Sequence, residues 1–106
     1  MPTKSRAKTT IEGPASVLAL KRPPTHPGEM LLEEFLKPVD LTQVEAARQM
    51  GIPLNRLNEV IRGKRGVTAD TALRLSSLLG TSAELWLGLQ NDWALWHAAR
   101  TFRKAG

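Results

Sequence analysis

The chain has 106 residues and a formal net charge of +5, a length that suits one small domain with a tail. It contains no cysteine, which excludes disulfides and thiolate metal sites, and no stretch approaches the roughly 20 apolar residues that a membrane span needs. The basic opening, MPTKSRAKTT, is not followed by an apolar run with a small-residue cleavage site, so no secretory signal is expected and a cytoplasmic protein is the default.

Residues 1–22 show no sustained period and are rich in Lys, Thr, Ser and Ala. They read as a flexible basic N-terminal tail, with residues 23–106 as the folded domain. The short run Val17-Leu18-Ala19-Leu20 is the exception: a transient helix, a docking segment, or neither. Pro23-Pro24 blocks any helix arriving from the left.

Five helices and no strand are expected beyond it. The first spans about 27–37, with Pro27 at its first position, Glu29 and Glu33 near its positive end, and Leu31, Leu32, Phe35 and Leu36 on its apolar face. Pro38 stops it. The second runs from 43 to 50, with Thr42 as N-cap and Glu45 three residues on, the capping-box pattern. Val44, Ala47 and Met50 are its expected inner positions, and Gly51 closes it in the left-handed region. The third starts at Pro53 and runs to about 62, with Leu57, Val60 and Ile61 turned inward. The fourth begins after Thr68, with Ala72, Leu75, Leu78 and Leu79 apolar and Gly80 at its end. The fifth begins after Ser82 and continues to about 102. Short helices joined by short turns imply a compact all-α fold.

Charge is segregated along this chain. Residues 23–47 carry Lys37 against Glu29, Glu33, Glu34, Asp40 and Glu45, a net of −4. Residues 48–74 carry Arg48, Arg56, Arg62, Lys64, Arg65 and Arg74 against Glu59 and Asp70, a net of +4. A concentrated positive patch is the electrostatic footprint of a nucleic-acid binder, although solvated surface also accounts for it.

The second and third helices, joined by Gly51-Ile52-Pro53, form a helix-turn-helix pattern. Ala47 is small where two helices cross closely. Thr42-Gln43 places a polar side chain and free backbone N–H groups at a helix start, a ready phosphate site. A helix in the DNA major groove needs side chains that read base edges: Asn bonds adenine bidentately, Arg bonds guanine. Asn is a mediocre helix former, yet Asn55 and Asn58 both fall in the third helix. The candidate DNA-binding set is Thr42, Gln43, Pro53, Leu54, Asn55, Arg56, Asn58, Arg62, Lys64 and Arg65, the last two on phosphates. The alternative is a plain αα-hairpin with two surface asparagines.

Trp86, Leu89, Trp93 and Trp96 recur at helical spacing and make one stripe on the fifth helix. It is a candidate dimer interface, because helix-turn-helix proteins use two-fold symmetry to span two half-sites. The competing reading is that the stripe covers the domain's own core; both are expected to hold, with Trp86 toward the core and Trp93 and Trp96 at the interface. Enzyme readings fare badly. His26 reads as a helix-entry residue and His97 as lying on the wet side of the fifth helix; Glu33 and Glu34, adjacent on a helix, do not face each other. No metal-ligand spacing, nucleophile motif or phosphate loop appears, so no catalytic residue, metal or cofactor is expected.

Residues 26 to about 93 resemble the HigA-type (VapI-like) antitoxins of the XRE helix-turn-helix superfamily. The resemblance rests on an ordered set: His26-Pro27-Gly28-Glu29, Leu36-Lys37-Pro38, Asn55-Arg56-Leu57-Asn58-Glu59, Gly63-Lys64-Arg65-Gly66 with Thr68-Ala69-Asp70-Thr71-Ala72-Leu73-Arg74-Leu75, and Gly80-Thr81-Ser82 with Trp86-Leu87. It implies an XRE/lambda-repressor-like five-helix domain and a type II toxin–antitoxin module. The antitoxin would bind operator double-stranded DNA as a homodimer, repress its own operon, and neutralise a HigB/RelE-like, mRNA-cleaving toxin. Gln43, Asn55, Arg56 and Asn58 would then face bases or nearby phosphates, with Lys64 and Arg65 on the backbone. About 25 residues precede His26, where many relatives begin almost at once, and this leaves the toxin-binding surface open. Two other readings stand beside it: a stand-alone phage-like repressor without a toxin, and a protein-interaction module whose helix-turn-helix no longer binds DNA.

Overall fold

The computed structural model describes residues 16–105. Among them every regular element is helical, and they form two compact units, residues 25–91 and residues 16–24 with 92–105.

In the larger unit α1 (Pro27–Met30) begins where the sequence directs it. His26 is the N-cap, and its Nδ1 accepts the Gly28 N–H at 2.9 Å. Pro27 follows at the first helical position and Glu29 lies in the first turn. Gly28 is dictated by packing. A Cβ there would sit 1.9 Å from the Val60 carbonyl oxygen, so any side chain would drive two backbones apart. The helix continues as a π-helical segment, Leu31–Leu36, whose wider register is carried to its end by Lys37 N–H bonding the Leu32 carbonyl. In α-geometry residues five apart diverge by about 140°. Bonding five residues back brings Leu31 and Leu36 onto one face, and each is 1% exposed.

Then α2 (Gln43–Met50) opens with Thr42 Oγ1 accepting the Glu45 N–H at 3.1 Å. Only this half of the expected capping box closes. The Glu45 carboxylate turns instead to Arg48 and Gln49, whose hydrogen bonds hold its pKa down to about 2. Gly51 ends the helix at φ 73°, and its N–H and that of Ile52 bond back to the Ala47 carbonyl. One expectation is corrected: Val44 is 62% exposed, and Ala46 takes the inner place beside Ala47 and Met50. Ala46 stands one turn above Met50, whereas Val44 falls outside that arc.

The next helix, α3 (Leu54–Ile61), starts one residue later than expected, because Pro53 keeps extended geometry as its N-cap. Leu57 and Val60 are wholly enclosed. In α4 (Ala69–Leu79), capped by Thr68, the buried residues are Thr71, Ala72 and Leu75. Finally α5 (Ala83–Ala105) contributes Trp86 to the core of this unit. Its ring lies 5.4 Å from Phe35, and its indole N–H donates to Thr81 Oγ1 at 2.7 Å. Within the unit α2 packs on α3 and α4, and α1 on α3.

Polar ties add to these apolar contacts. Arg74 Nη1 donates to the Met50 carbonyl at 2.7 Å, at the end of α2, while its Nε bonds Asp70 at 2.9 Å. Arg56 of α3 reaches the same carboxylate and the Thr71 hydroxyl, each at 2.7 Å. The Arg56 hydrogen bond, then that of Arg74, holds the Asp70 carboxyl below the usual range.

In the smaller unit Val17–Ala19 make a single 3-10 turn capped by Ser16. The Leu20 carbonyl accepts the Trp96 indole N–H at 2.9 Å. His97 is not on the wet side of α5. Its ring lies 4.1 Å from Trp93 and 5.0 Å from Trp96, and its Nε2 is enclosed without a hydrogen-bond partner among the described residues. Arg100 stacks 4.2 Å above Trp96. Most of the expected tail, residues 1–15, lies outside the described residues.

Gly28→Ala is expected to destabilise the protein by about 2 kcal/mol, because overpacking against backbone outweighs the helix-propensity gain of about 1 kcal/mol. Gly88→Ala, where a Cβ meets nothing within 4 Å, should instead stabilise by up to about 1 kcal/mol; urea unfolding of both variants measures the contrast. Asp70, with its depressed folded pKa, contributes fully above the unfolded value of about 3.9, and that contribution is lost as pH falls through the folded value. The gap in urea midpoint between the wild type and Asp70→Asn should hold from neutral pH to about 5 and close below about 4.

Candidate nucleic-acid interface

The first turns of α2 and α3 lie side by side. Thr42, Gln43 and Val44 from one, and Leu54, Asn55 and Asn58 from the other, line a single open cleft. The inner faces of both helices are consumed by the core, so the remaining faces must look outward. Asn58 Nδ2 donates to Gln43 Oε1 at 3.1 Å and ties the two walls. That bond leaves the Gln43 NH2 group and the Asn58 carbonyl oxygen for a ligand. Asn55 is exposed and Leu54 is 44% exposed. Thr42 spends its hydroxyl lone pair on the Glu45 N–H, which orients the helix start.

The other members of the predicted set are placed differently. Pro53 is exposed at the N-cap of α3. Arg56 does not line the cleft; its guanidinium is held by Asp70 and Thr71, and its side chain is 27% exposed. Arg62 and Lys64 are exposed at and beyond the C-terminal end of α3. Arg65 is paired with Glu59 at 2.7 Å, in an arrangement open to water. The cleft therefore carries hydroxyl, amide and apolar groups, and the free positive charge sits past the end of α3.

Two residues were missed by sequence reasoning. Val44 was assigned to the core because an eight-residue helix offers too few apolar positions to fix its face. Asp70 reads locally as a helix-start carboxylate, and nothing in the sequence links it to Arg56, fourteen residues away. The candidate interface stripe on α5 is also divided. Trp86 is wholly enclosed in the core of its unit and has no surface to offer a partner. Trp96 is 7% exposed, while Leu89 and Trp93 are half-buried. The exposed large apolar residues of α5 are Leu85, Leu95 and Phe102; Leu85 borders the tryptophan stripe, and Leu95 and Phe102 lie off it.

Comparison with known proteins agrees with this architecture. The helix-turn-helix family matches residues 32–86. Virulence-associated protein I of Dichelobacter nodosus is 45% identical over 73 residues, covering 69% of this chain and 68% of that protein. The Pseudomonas aeruginosa antitoxin HigA, solved with the higBA promoter, superposes with a TM-score of 0.74 at 36% identity, over 77% of this chain and 89% of that one. The antitoxin GraA in complex with its operator gives a TM-score of 0.72 at 40% identity, over 81% and 89%. By the residues matched, the identities and the coverage, the chain belongs to the helix-turn-helix family and, within it, to the HigA-type, VapI-like antitoxins.

Proposed function

We propose that this protein is the antitoxin of a type II toxin–antitoxin module that binds operator double-stranded DNA as a homodimer, represses its own operon, and neutralises a HigB/RelE-like, mRNA-cleaving toxin. The observation that carries the DNA reading is the cleft, where Gln43, Asn55 and Asn58 stand together on the outward faces of a helix-turn-helix. Their amides have the donor and acceptor pattern that bonds adenine N6 and N7 in the major groove. Lys64 and Arg62 supply positive charge for flanking phosphates, and the N-terminus of α2 at Thr42-Gln43 meets a phosphate through its backbone N–H groups. Solved antitoxins of this family, HigA with its promoter and GraA with its operator, support the assignment.

A homodimer follows from the two half-sites of an operator. On α5 the apolar surface left for a second copy is Leu95 and Phe102, 51% and 78% exposed. No helix among the described residues is long and apolar enough to cross a membrane. A regulator of operator DNA works in the cytoplasm.

A gel-shift titration against the DNA upstream of its own gene, with unrelated competitor and varied salt, tests the repressor. Asn55→Ala and Asn58→Ala should each lose about 1–3 kcal/mol of specific binding while leaving nonspecific binding unchanged. Lys64→Ala should weaken binding to every sequence and reduce the salt slope by about 1. Binding no tighter than to unrelated DNA would end the repressor reading. For the toxin, co-expression with the neighbouring gene is expected to restore growth and yield a copurifying complex; growth arrest that the antitoxin does not relieve would leave repression alone.

A further inference from the structure

The cleft contains two side chains that hydrogen bonding to bases does not use. Val44 is 62% exposed and Leu54 is 44% exposed, and they stand on opposite walls of the same cleft, one in the first turn of α2 and one opening α3. Single exposed apolar residues are ordinary. Two of them framing Gln43, Asn55 and Asn58 make a composite surface of amides flanked by methyl groups. Val is also stiff at χ1, so its methyls hold a fixed position rather than sweeping the groove.

DNA offers one major-groove feature that such a surface matches. Thymine alone among the four bases projects a methyl group there, and apolar side chains read it by contact. The amides beside Val44 and Leu54 are of the type that pairs with adenine, so one patch carries both halves of an A·T preference. We infer that Val44 and Leu54 form a thymine-methyl pocket, making them specificity-determining residues of the interface. The inference rests on the DNA reading above and adds to it a base identity. Val44 reads the methyl only if α2 contributes a side chain to the groove as well as a phosphate contact.

The test uses the full-length protein and a duplex that it selects from a randomised pool. Each thymine of that duplex is replaced in turn by deoxyuridine, which deletes the methyl and leaves the pairing edge intact. One thymine per half-site is expected to cost about fourfold in affinity when replaced, the value of one buried methyl. Val44→Ala and Leu54→Ala should each weaken binding to the thymine duplex and reduce the response to deoxyuridine at that position, and the double variant Val44→Ser/Leu54→Ser should abolish that response. Val44→Thr keeps the shape and one of the two methyls, and its response should fall between those of the wild type and the alanine variant. Thermal melts of the free variants, expected to match the wild type because the site is exposed, separate recognition from folding. Specific binding that tolerates deoxyuridine everywhere within twofold would overturn the methyl pocket and leave the DNA reading intact. A response to deoxyuridine that persists in full in the double variant Val44→Ser/Leu54→Ser would assign the methyl to another side chain and overturn it equally. Recovery of no preferred duplex would overturn the DNA reading itself, and the pocket with it.

Discussion

Everything that the cleft presents depends on how α3 is held from behind. Leu57 and Val60 are fully enclosed, and the backbone of α1 comes so close to Val60 that only glycine fits at position 28. Side chains can repack around a mutation, but two backbones in contact cannot, and this makes the α1–α3 approach the least adjustable contact of the unit. Ala46 and Ala47 bring α2 to the same centre with minimal side-chain volume. Once these inner faces are filled, Leu54, Asn55 and Asn58 have only the outward direction left.

The polar ties act differently. Asp70 gathers Arg56 and Arg74, and Arg74 also holds the end of α2 through the Met50 carbonyl. The carboxylate is largely open to water, and exposed ion pairs add little to stability because solvent screens them. They link three helices: one carboxylate of α4 is shared by Arg56 of α3 and Arg74, which also reaches the end of α2. The same arrangement draws Arg56 off the outward face, so an arginine in the middle of a recognition-type helix serves the scaffold in this structure.

The long last helix divides its labour along its length. Its first turns fill the core of the larger unit with Trp86, and later turns form a cluster in which Trp96, His97 and Arg100 stack and the Leu20 carbonyl is engaged. Three tryptophans at helical spacing therefore do not make one surface. Trp86 is spent on its own core, and the large apolar side chains left exposed on this helix are Leu85, Leu95 and Phe102.

Local chemistry determined the helix boundaries, and these were readable in the sequence. Pro27, Thr42, Gly51, Thr68 and Gly80 each mark a cap through a neighbour no more than a few residues away, and every one acts as its residue type dictates. The grouping of Gln43, Asn55 and Asn58 was readable too, because a helix-turn-helix places the starts of its two helices together. Tertiary packing decided the rest. Whether Val44 faces in or out depends on which side of a short helix meets α3 and α4, and its sequence supports either. The partner of Arg56 and the enclosure of Trp86 are contacts between elements, and sequence spacing carries no record of them. The amino-acid sequence alone thus determined the order of the helices, most of their boundaries to within a residue or two and the family; the tertiary structure decided which side chains remain for a partner, because that choice is made only when the inner faces compete for one core.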